Sequence, residues 1–246
     1  GGLLMALAGS ALGRHLAGHG GNASGHDAPV ALSAYFLSAS RAGAVEVRTE
    51  VARVGRELST GQVSLVQSPA GTPVERVRAL ASFGDLRTWE YPVLRSPEPP
   101  ELPPPDECVP ASAAPADFVA AVPLLARLDL RLEPESAAWA TGQPSQRGRI
   151  RGWIRFADGR PADPISLLFF LDALPPVAFD LGILGWAPTL EFTGHVRAEP
   201  AAGWLRVELS TRTVTGGLLE EDAMIWDSTG AMVAQSRQLA GIRLPS

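Results

Sequence analysis

Hydrophobic and polar positions divide the first third of the chain into one helix-period segment and several strand-period segments. Residues 1–16 carry an apolar stripe at helical spacing, and the segments after it alternate or are rich in β-branched residues. The stripe consists of Leu4, Leu7, Ala8, Ala11 and Leu12, and strands are predicted at Val30–Ser38, Ala44–Val54, Gln62–Gln67 and Val74–Phe83. The pattern therefore predicts one helix followed by strands.

A second run repeats this order after a proline-rich interruption between Tyr91 and Pro115, which favours an extended linker. Asp163 suits a helix N-cap and Pro164 the first helical position, and the next proline pair ends that helix. Strands are predicted at Arg127–Leu132, Gly148–Phe156, Thr189–Arg197, Trp204–Thr213, Leu218–Trp226 and Met232–Ile242. We predict a first half over residues 1–90, a linker over 91–121 and a second half over 122–246.

The two runs also share residues in register. Gly71–Ala81 and Gly230–Ala240 have Gly, Val, Arg, Leu and Ala in common at one constant offset. Gly43–Val47 parallels Gly203–Val207 at nearly the same offset. Two matches in the same order indicate that the chain arose by duplication of one structural unit.

Composition and charge exclude several classes of function. With 246 residues and 46% hydrophobic content, the chain can bury a substantial core. A net charge of -5 without an Arg-dense run argues against a nucleic-acid partner. The sequence contains no Lys, which excludes a Schiff-base nucleophile, a pyridoxal phosphate attachment and a phosphate-loop lysine.

A single cysteine and the hydropathy profile bear on the compartment. Cys108 stands alone, so no intrachain disulfide and no Cys-rich metal site can form, a pattern that suits the cytoplasm. No apolar run reaches the roughly 18 to 20 residues of a membrane span. A serine-hydrolase Gly-x-Ser-x-Gly elbow and a dinucleotide-binding Gly-x-Gly-x-x-Gly are both lacking.

Six segments carry motifs that can be compared with known families. They are Gly1-Gly2-Leu-Leu-Met-Ala, Gly152-Trp153-Ile154-Arg155, Asp163-Pro164, Phe170-Leu-Asp172-Ala-Leu-Pro175, Thr189-Leu-Glu191-Phe-Thr and Ser236-Arg-Gln238-Leu-Ala. Together they resemble the bacterial medium- to long-chain acyl-CoA thioesterase II family: the first is similar to the start of its first central helix, and the others resemble its second helix and the strands that carry two catalytic residues. The family pattern also has a strand before the position of Gly1.

The resemblance implies an α+β double hot-dog fold, with two antiparallel sheets that each wrap a central helix. It also implies hydrolysis of acyl-CoA to a fatty acid and CoA by an activated water, without a cofactor or a metal, in a homo-oligomer. In this family an Asp, a Gln and a Thr or Ser hold the water against the thioester carbonyl.

Carried over to this chain, the resemblance gives four candidate catalytic residues and two candidate oxyanion donors. Gln238 occupies the Gln position and Glu191 the Asp position, and Thr211 and Thr213 are preferred over Ser210 for the hydroxyl. The oxyanion donors would be the amides of Gly1 and Gly2 at the start of the first helix.

The internal repeat supports two of these residues without the family. Gln238 corresponds to Ala79 and Glu191 to Ser33, so polar groups stand in the second copy where the first has small residues. Two copies need the same packing but not the same chemistry, so the difference places the site in the second half.

Alternatives remain open at this stage. Glu191 alternates with polar residues, as on a solvated strand face, and Asp172 is a rival carboxylate. A non-catalytic acyl-CoA-binding module is the second hypothesis, and a hot-dog dehydratase or hydratase is disfavoured because His195 is the only histidine of the second half. A metal site at His15, His19 and His26 is weakly supported. The acyl-chain length and the arginines that contact CoA do not follow from the sequence.

Overall fold

The computed structural model describes residues 1–19, 25–89 and 92–242, which form four helices, twelve strands and several short 3-10 turns. The helices are α1 (Gly2–Ala17), α2 (Ala116–Ala121), α3 (Pro134–Ala137) and α4 (Pro164–Phe170). The strands are β1 (Ala28–Phe36), β2 (Glu46–Val54), β3 (Leu58–Gln67), β4 (Val74–Gly84), β5 (Val109–Pro110), β6 (Leu128–Leu132), β7 (Arg149–Phe156), β8 (Thr189–Val196), β9 (Leu205–Ser210), β10 (Val214–Thr215), β11 (Leu218–Trp226) and β12 (Met232–Gly241). The predicted order of a helix and strands in each half is confirmed.

The strands form one continuous antiparallel sheet in the order β2-β3-β4-β1-β8-β12-β11-β9-β7-β6-β5, with β10 paired to β11. The two halves meet where β1 pairs with β8, for example at Leu32 opposite Gly194. The two predicted sheets are therefore joined edge to edge. This pairing satisfies the backbone groups of two edge strands that would otherwise be open.

The two longest helices lie on the inner face of the sheet and contact each other. Helix α1 packs on β1 to β4, and α4 packs on β1, β8 and β12. The buried face of α1 consists of Met5, Ala8, Leu12 and Leu16, shifted by about one residue from the predicted stripe. In α4 the predicted cap is present, because the Asp163 side chain accepts from Ser166 N–H in a capping box. Among the described residues, no helix is long and apolar enough to span a membrane.

The repeat seen in the sequence corresponds to equivalent turns and strands. Gly71 and Gly230, which share the constant offset, have φ angles of +83° and +88° in the turns before β4 and β12. Only glycine adopts this conformation without strain, which explains why both copies keep it. Strand β4 borders β1 as β12 borders β8, so the two copies occupy matching places in the sheet.

The proline-rich segment is extended, as predicted, but it packs on the second half. The indole N–H groups of Trp226 and Trp153 donate to the carbonyls of Pro97 and Pro103, both at 2.9 Å. Farther along, β5 pairs with β6, and Cys108 is buried. Extended proline-rich backbone leaves its carbonyls free to accept such bonds. The domain limits stay predictions, and the one between residues 90 and 91 lies outside the described residues.

Candidate active site

Polar side chains from four parts of the fold meet on the inner face of the sheet, where apolar packing would be expected. Strand alternation turns Gln238 inward with Ala240, and Gln238 pairs with Phe192 of β8. Its side chain is only 7% exposed. A buried amide must find hydrogen-bond partners, and its partners define the site.

Both ends of the Gln238 amide are engaged. Its Oε1 accepts from the hydroxyl of Thr189 at 2.7 Å. Its Nε2 donates to Glu221 Oε1 at 2.5 Å and, more weakly, to Asp172 Oδ1 at 3.4 Å. A hydroxyl donor on one side and two carboxylate acceptors on the other fix the orientation of the amide. Thr189 lies at the start of β8, where the register with β12 shifts between Leu239 and Ala240.

Asp172 links the end of α4 to the beginning of α1. It stands two residues after the last helical residue of α4, and its Oδ2 accepts from Gly2 N–H at 2.6 Å. The positive end of the α1 dipole favours a carboxylate at this point. The approach depends on glycine, because a Cβ at Gly2 would lie 2.5 Å from the carbonyl oxygen of Phe169.

Glu221 is a second carboxylate at the site and is 3% exposed. Its Oε2 accepts from Val177 N–H at 2.7 Å. Burial is the main cause that raises the pKa of Glu221; the charge of Asp172 adds to the rise, hydrogen bonds from Val177 and Gln238 oppose it, and the net pKa is about 7. The sequence analysis missed this residue, although the inward phase of β11, with Leu219 and Ala223 buried on either side, was a usable signal.

The structure brings Gln238, Gly1 and Gly2 together with Asp172, but it does not bring Glu191 to them. Alternation along β8 turns Phe192 inward and Glu191 outward. The outward carboxylate accepts from Thr193 Oγ1 at 2.7 Å, away from Gln238. Glu191 therefore lies apart from the Gln238 cluster, and the carboxylates that contact Gln238 are Asp172 and Glu221.

The predicted oxyanion donors also change role. Gly2 N–H already donates to Asp172, so it orients the carboxylate and is not free to bind an oxyanion. Gly1 lies against the same carboxylate, since a Cβ built on it would be 2.8 Å from Asp172 Oδ2. Both glycines thus serve close packing at Asp172.

The predicted hydroxyls lie elsewhere, and their assignment is corrected. Thr211 Oγ1 donates to Glu220 Oε2 at 2.7 Å, and Thr213 N–H donates to the same oxygen at 3.2 Å. Glu220 faces away from the core, opposite to its buried neighbour Glu221, so both threonines hold a turn on the outer side. The hydroxyl at Gln238 comes from Thr189, which the sequence analysis did not select.

The histidines stand apart from this cluster. His195 pairs with Gln235 on β12. Burial lowers the pKa of His195, and the nearby positive charge of Arg197 lowers it further. His26 contacts Ser59 Oγ at 2.8 Å, and its other ring nitrogen lies near the Arg56 carbonyl. Within the described ranges, no group of three potential ligands could hold a metal ion.

A cleft of about 640 Å³ opens beside the two central helices. Phe169 lines the cleft, and the carbonyl oxygen of the same residue packs against Gly2, whose amide binds Asp172. Apolar side chains line it together with two arginines and two aspartates; its residues include Leu3, Ala6, Ile165, Phe169, Arg127, Arg160, Asp158 and Asp163. Pockets of this size and character are typical of small-molecule binding sites.

Comparison with known proteins agrees with this architecture. Residues 105–242 match the family model described as the acyl-CoA thioesterase C-terminal domain, and residues 1–84 match the acyl-CoA thioesterase N-terminal domain. The chain is 31% identical over 229 residues to the Mycobacterium tuberculosis (strain H37Rv) uncharacterized protein Rv0499, covering 86% of this chain and 75% of that protein.

Two solved structures share the fold over nearly the whole chain. A Thermobifida fusca YX protein assigned as a thioesterase II superposes with a TM-score of 0.82 at 30% identity, covering 99% of this chain and 86% of that one. A hot dog fold protein of unknown function from Alicyclobacillus acidocaldarius gives a TM-score of 0.80 at 20% identity, covering 100% and 88%. The predicted double hot-dog fold is confirmed.

Proposed function

The chain belongs to the acyl-CoA thioesterase family, and we propose that it hydrolyses acyl-CoA to a fatty acid and CoA with a water held by Asp172, Thr189 and Gln238. The observation that carries this proposal is the convergence of a carboxylate, a hydroxyl and an amide on one inward-facing spot. A thioester carbonyl is already electrophilic, so its hydrolysis mainly requires a positioned water and an acceptor for the water's proton.

In the proposed reaction, water donates one hydrogen bond to the Asp172 carboxylate and another to Thr189 Oγ1. Thr189 can accept because its own proton is donated to Gln238. The water oxygen attacks the carbonyl carbon while Asp172 takes the proton. The tetrahedral oxyanion then collapses, the carbon–sulfur bond breaks, and the CoA sulfur leaves as a thiol with the proton that Asp172 received.

The start of α1 supports the oxyanion electrostatically. Its first amide, Gly2 N–H, points at Asp172. The positive end of a 16-residue helix favours negative charge developing nearby. The dipole therefore assists the reaction, although Gly2 N–H itself is committed to the carboxylate.

A medium to long acyl chain is the proposed substrate class. The cleft beside Phe169 offers an apolar surface from Leu3, Ala6 and Ile165 along the two central helices, and the first of these helices also carries Gly2, whose amide binds Asp172. Burial of methylene groups on such a surface contributes roughly 0.8 kcal/mol each, which favours longer chains. The cytoplasm is the proposed location, where acyl-CoA is available.

The direct test is release of CoA thiol from a panel of acyl-CoAs that runs from butanoyl- to stearoyl-CoA. We expect thiol and fatty acid to form in equal amounts, measured with 4,4′-dithiodipyridine and by mass spectrometry. The single cysteine, Cys108, is buried and adds at most one equivalent of signal. Tight binding of acyl-CoA without thiol release would instead support the non-catalytic binding module.

Self-association is also part of the proposal. Tyr35 and Leu80 are 58% and 54% exposed on adjacent strands of the outer sheet face. Exposed apolar side chains that cluster on a sheet face are typical of contact surfaces, and a second copy of the chain is the proposed partner. Light scattering after size exclusion is expected to give a multiple of the chain mass, and Leu80→Glu should lower it; a monomeric mass for the unaltered protein contradicts the proposal.

A further inference from the structure

The proposed mechanism uses Asp172, Thr189 and Gln238 but assigns nothing to Glu221, the most deeply buried carboxylate beside them. Glu221 makes two contacts, one with Val177 N–H at 2.7 Å and one with Gln238 Nε2 at 2.5 Å. Neither partner is a cation, so no opposite charge offsets the cost of ionising this side chain in the core. A carboxylate that is costly to ionise and that contacts Gln238 directly requires an explanation.

The charge state of Glu221 decides which end of the Gln238 amide faces it. An ionised carboxylate only accepts, so it takes the amide N–H and leaves Gln238 Oε1 to accept from Thr189. Thr189 then presents lone pairs to the water. A water with acceptors around it keeps its own lone pair free for attack.

Protonation of Glu221 reverses this orientation of the Gln238 amide. Its other oxygen remains bonded to Val177 N–H, so the acidic proton points at Gln238. A donor facing the amide favours the flipped orientation, in which Gln238 Oε1 accepts from Glu221 and Nε2 donates to Thr189, because the flip gives up only the weak 3.4 Å contact of Nε2 with Asp172 Oδ1. The Thr189 proton is then free to donate to the water, where it competes for the lone pair that must attack the carbonyl.

We propose that Glu221 is a positioning residue that selects the amide orientation of Gln238, so that hydrolysis proceeds when Glu221 is ionised. The inference rests on the proposed thioesterase function. Glu221 acts through Gln238 and does not contact the substrate. Hydrolysis therefore responds to pH through a group that the reaction itself does not use.

The surroundings of Glu221 place its ionisation near neutrality. From β12 it faces Gln238, and from the segment after α4 it faces the Val177 amide, both uncharged. The charged neighbours are the carboxylates of Asp172, after α4, and Glu220, on its own strand. Burial first, and repulsion from these two carboxylates next, raise the pKa of Glu221 to about 7.

Kinetics give the first arm of the test. With a midpoint near pH 7, kcat of the unaltered protein should rise about tenfold from about pH 6 to about pH 8. Glu221→Gln mimics the protonated acid, because its amide can accept from Val177 and donate to Gln238. Its kcat should stay at the low-pH value throughout this range, with KM within about twofold. Glu221→Asp keeps an ionisable group and should keep the rise, and Glu50→Gln, at an exposed position of the edge strand β2, is the control that should match the unaltered protein.

Nuclear magnetic resonance gives a second arm that does not depend on activity. The side-chain amide signals of Gln238, assigned by their loss in Gln238→Ala, should shift with pH with a midpoint near 7. They should not shift in Glu221→Gln, whose folding is checked by its melting curve. An unchanged pH rise in Glu221→Gln, or Gln238 signals that ignore pH in the unaltered protein, overturns the proposal. If no acyl-CoA is hydrolysed but the signals still titrate, the function fails while the link between Glu221 and Gln238 stands.

Discussion

Replacing Asp172 with asparagine is expected to lower kcat for acyl-CoA hydrolysis by about a thousandfold, or ~4 kcal/mol in the activation barrier. Asparagine keeps the shape of the side chain and can still accept from Gly2 N–H through its remaining oxygen. It cannot take a proton from water at neutral pH. The loss should therefore appear in kcat, with KM within a few-fold of the unaltered value, in the thiol-release assay.

Glu191→Gln is the matched control, because it makes the same carboxylate-to-amide change on the same half of the protein. Glu191 faces outward and contacts Thr193, so its kcat/KM should stay within about twofold of the unaltered value. The opposite pattern, an active Asp172→Asn and an inactive Glu191→Gln, would identify Glu191 on β8 as the catalytic carboxylate. Both variants should show the far-ultraviolet circular dichroism of the unaltered protein.

Much of the fold could be predicted because local patterns of hydrophobic and polar residues determine its helices and strands. The alternation in β11 gave the bounds Leu218–Trp226 that the structure has, and Asp163-Pro164 marked the start of α4 correctly. The pairing of β1 with β8 could not be predicted in this way, because it joins residues about 160 positions apart and depends on both halves folding first. The docking of the proline-rich segment likewise depends on two indole groups of the second half.

For the candidate site, too, local sequence patterns predicted some residues, whereas others depend on contacts between distant parts of the chain. Gln238 was identified from the resemblance of Ser236-Arg-Gln238-Leu-Ala, with support from the repeat, which has Ala79 at its place, and β12 turns it inward. For Glu191 the same comparison, with Ser33 in the first half, selected a residue on the outward face of the sheet. On that face Ser33 Oγ and Thr193 Oγ1 lie 3.0 Å apart beside Glu191. A polar residue that differs between two copies therefore indicates chemistry only if its strand phase is inward.

The remaining site residues needed tertiary information. Thr189 reaches Gln238 through a register shift at the start of β8, and Asp172 reaches Gly2 across 170 positions of sequence. The sequence shows Glu221 as an inward polar residue, but the role of a buried carboxylate can be inferred only when its hydrogen-bond partners are known. Strand phase could have nominated Glu221, whereas only the coordinates show that it contacts Gln238.

Replacing Gly2 with alanine is expected to destabilise the protein and impair catalysis together. A Cβ there would lie 2.5 Å from the Phe169 carbonyl oxygen, which is backbone and cannot rotate away, so α1 must shift from α4. Overpacking of this kind costs roughly 1–3 kcal/mol in the free energy of unfolding. The shift also lengthens the bond from Gly2 N–H to Asp172, and misplacing the general base should lower kcat by about a hundredfold.

Gly18→Ala is the control for this prediction, because it adds the same methyl group to the other end of α1. Gly18 has a right-handed φ of -75°, and its Cβ would meet only ordinary contacts at 3.5 and 3.6 Å. Urea unfolding should place Gly18→Ala within about 0.5 kcal/mol of the unaltered protein. A Gly2→Ala variant with full stability and full kcat would show that Asp172 does not depend on close contact between the two helices, and the geometry proposed for its carboxylate would be lost.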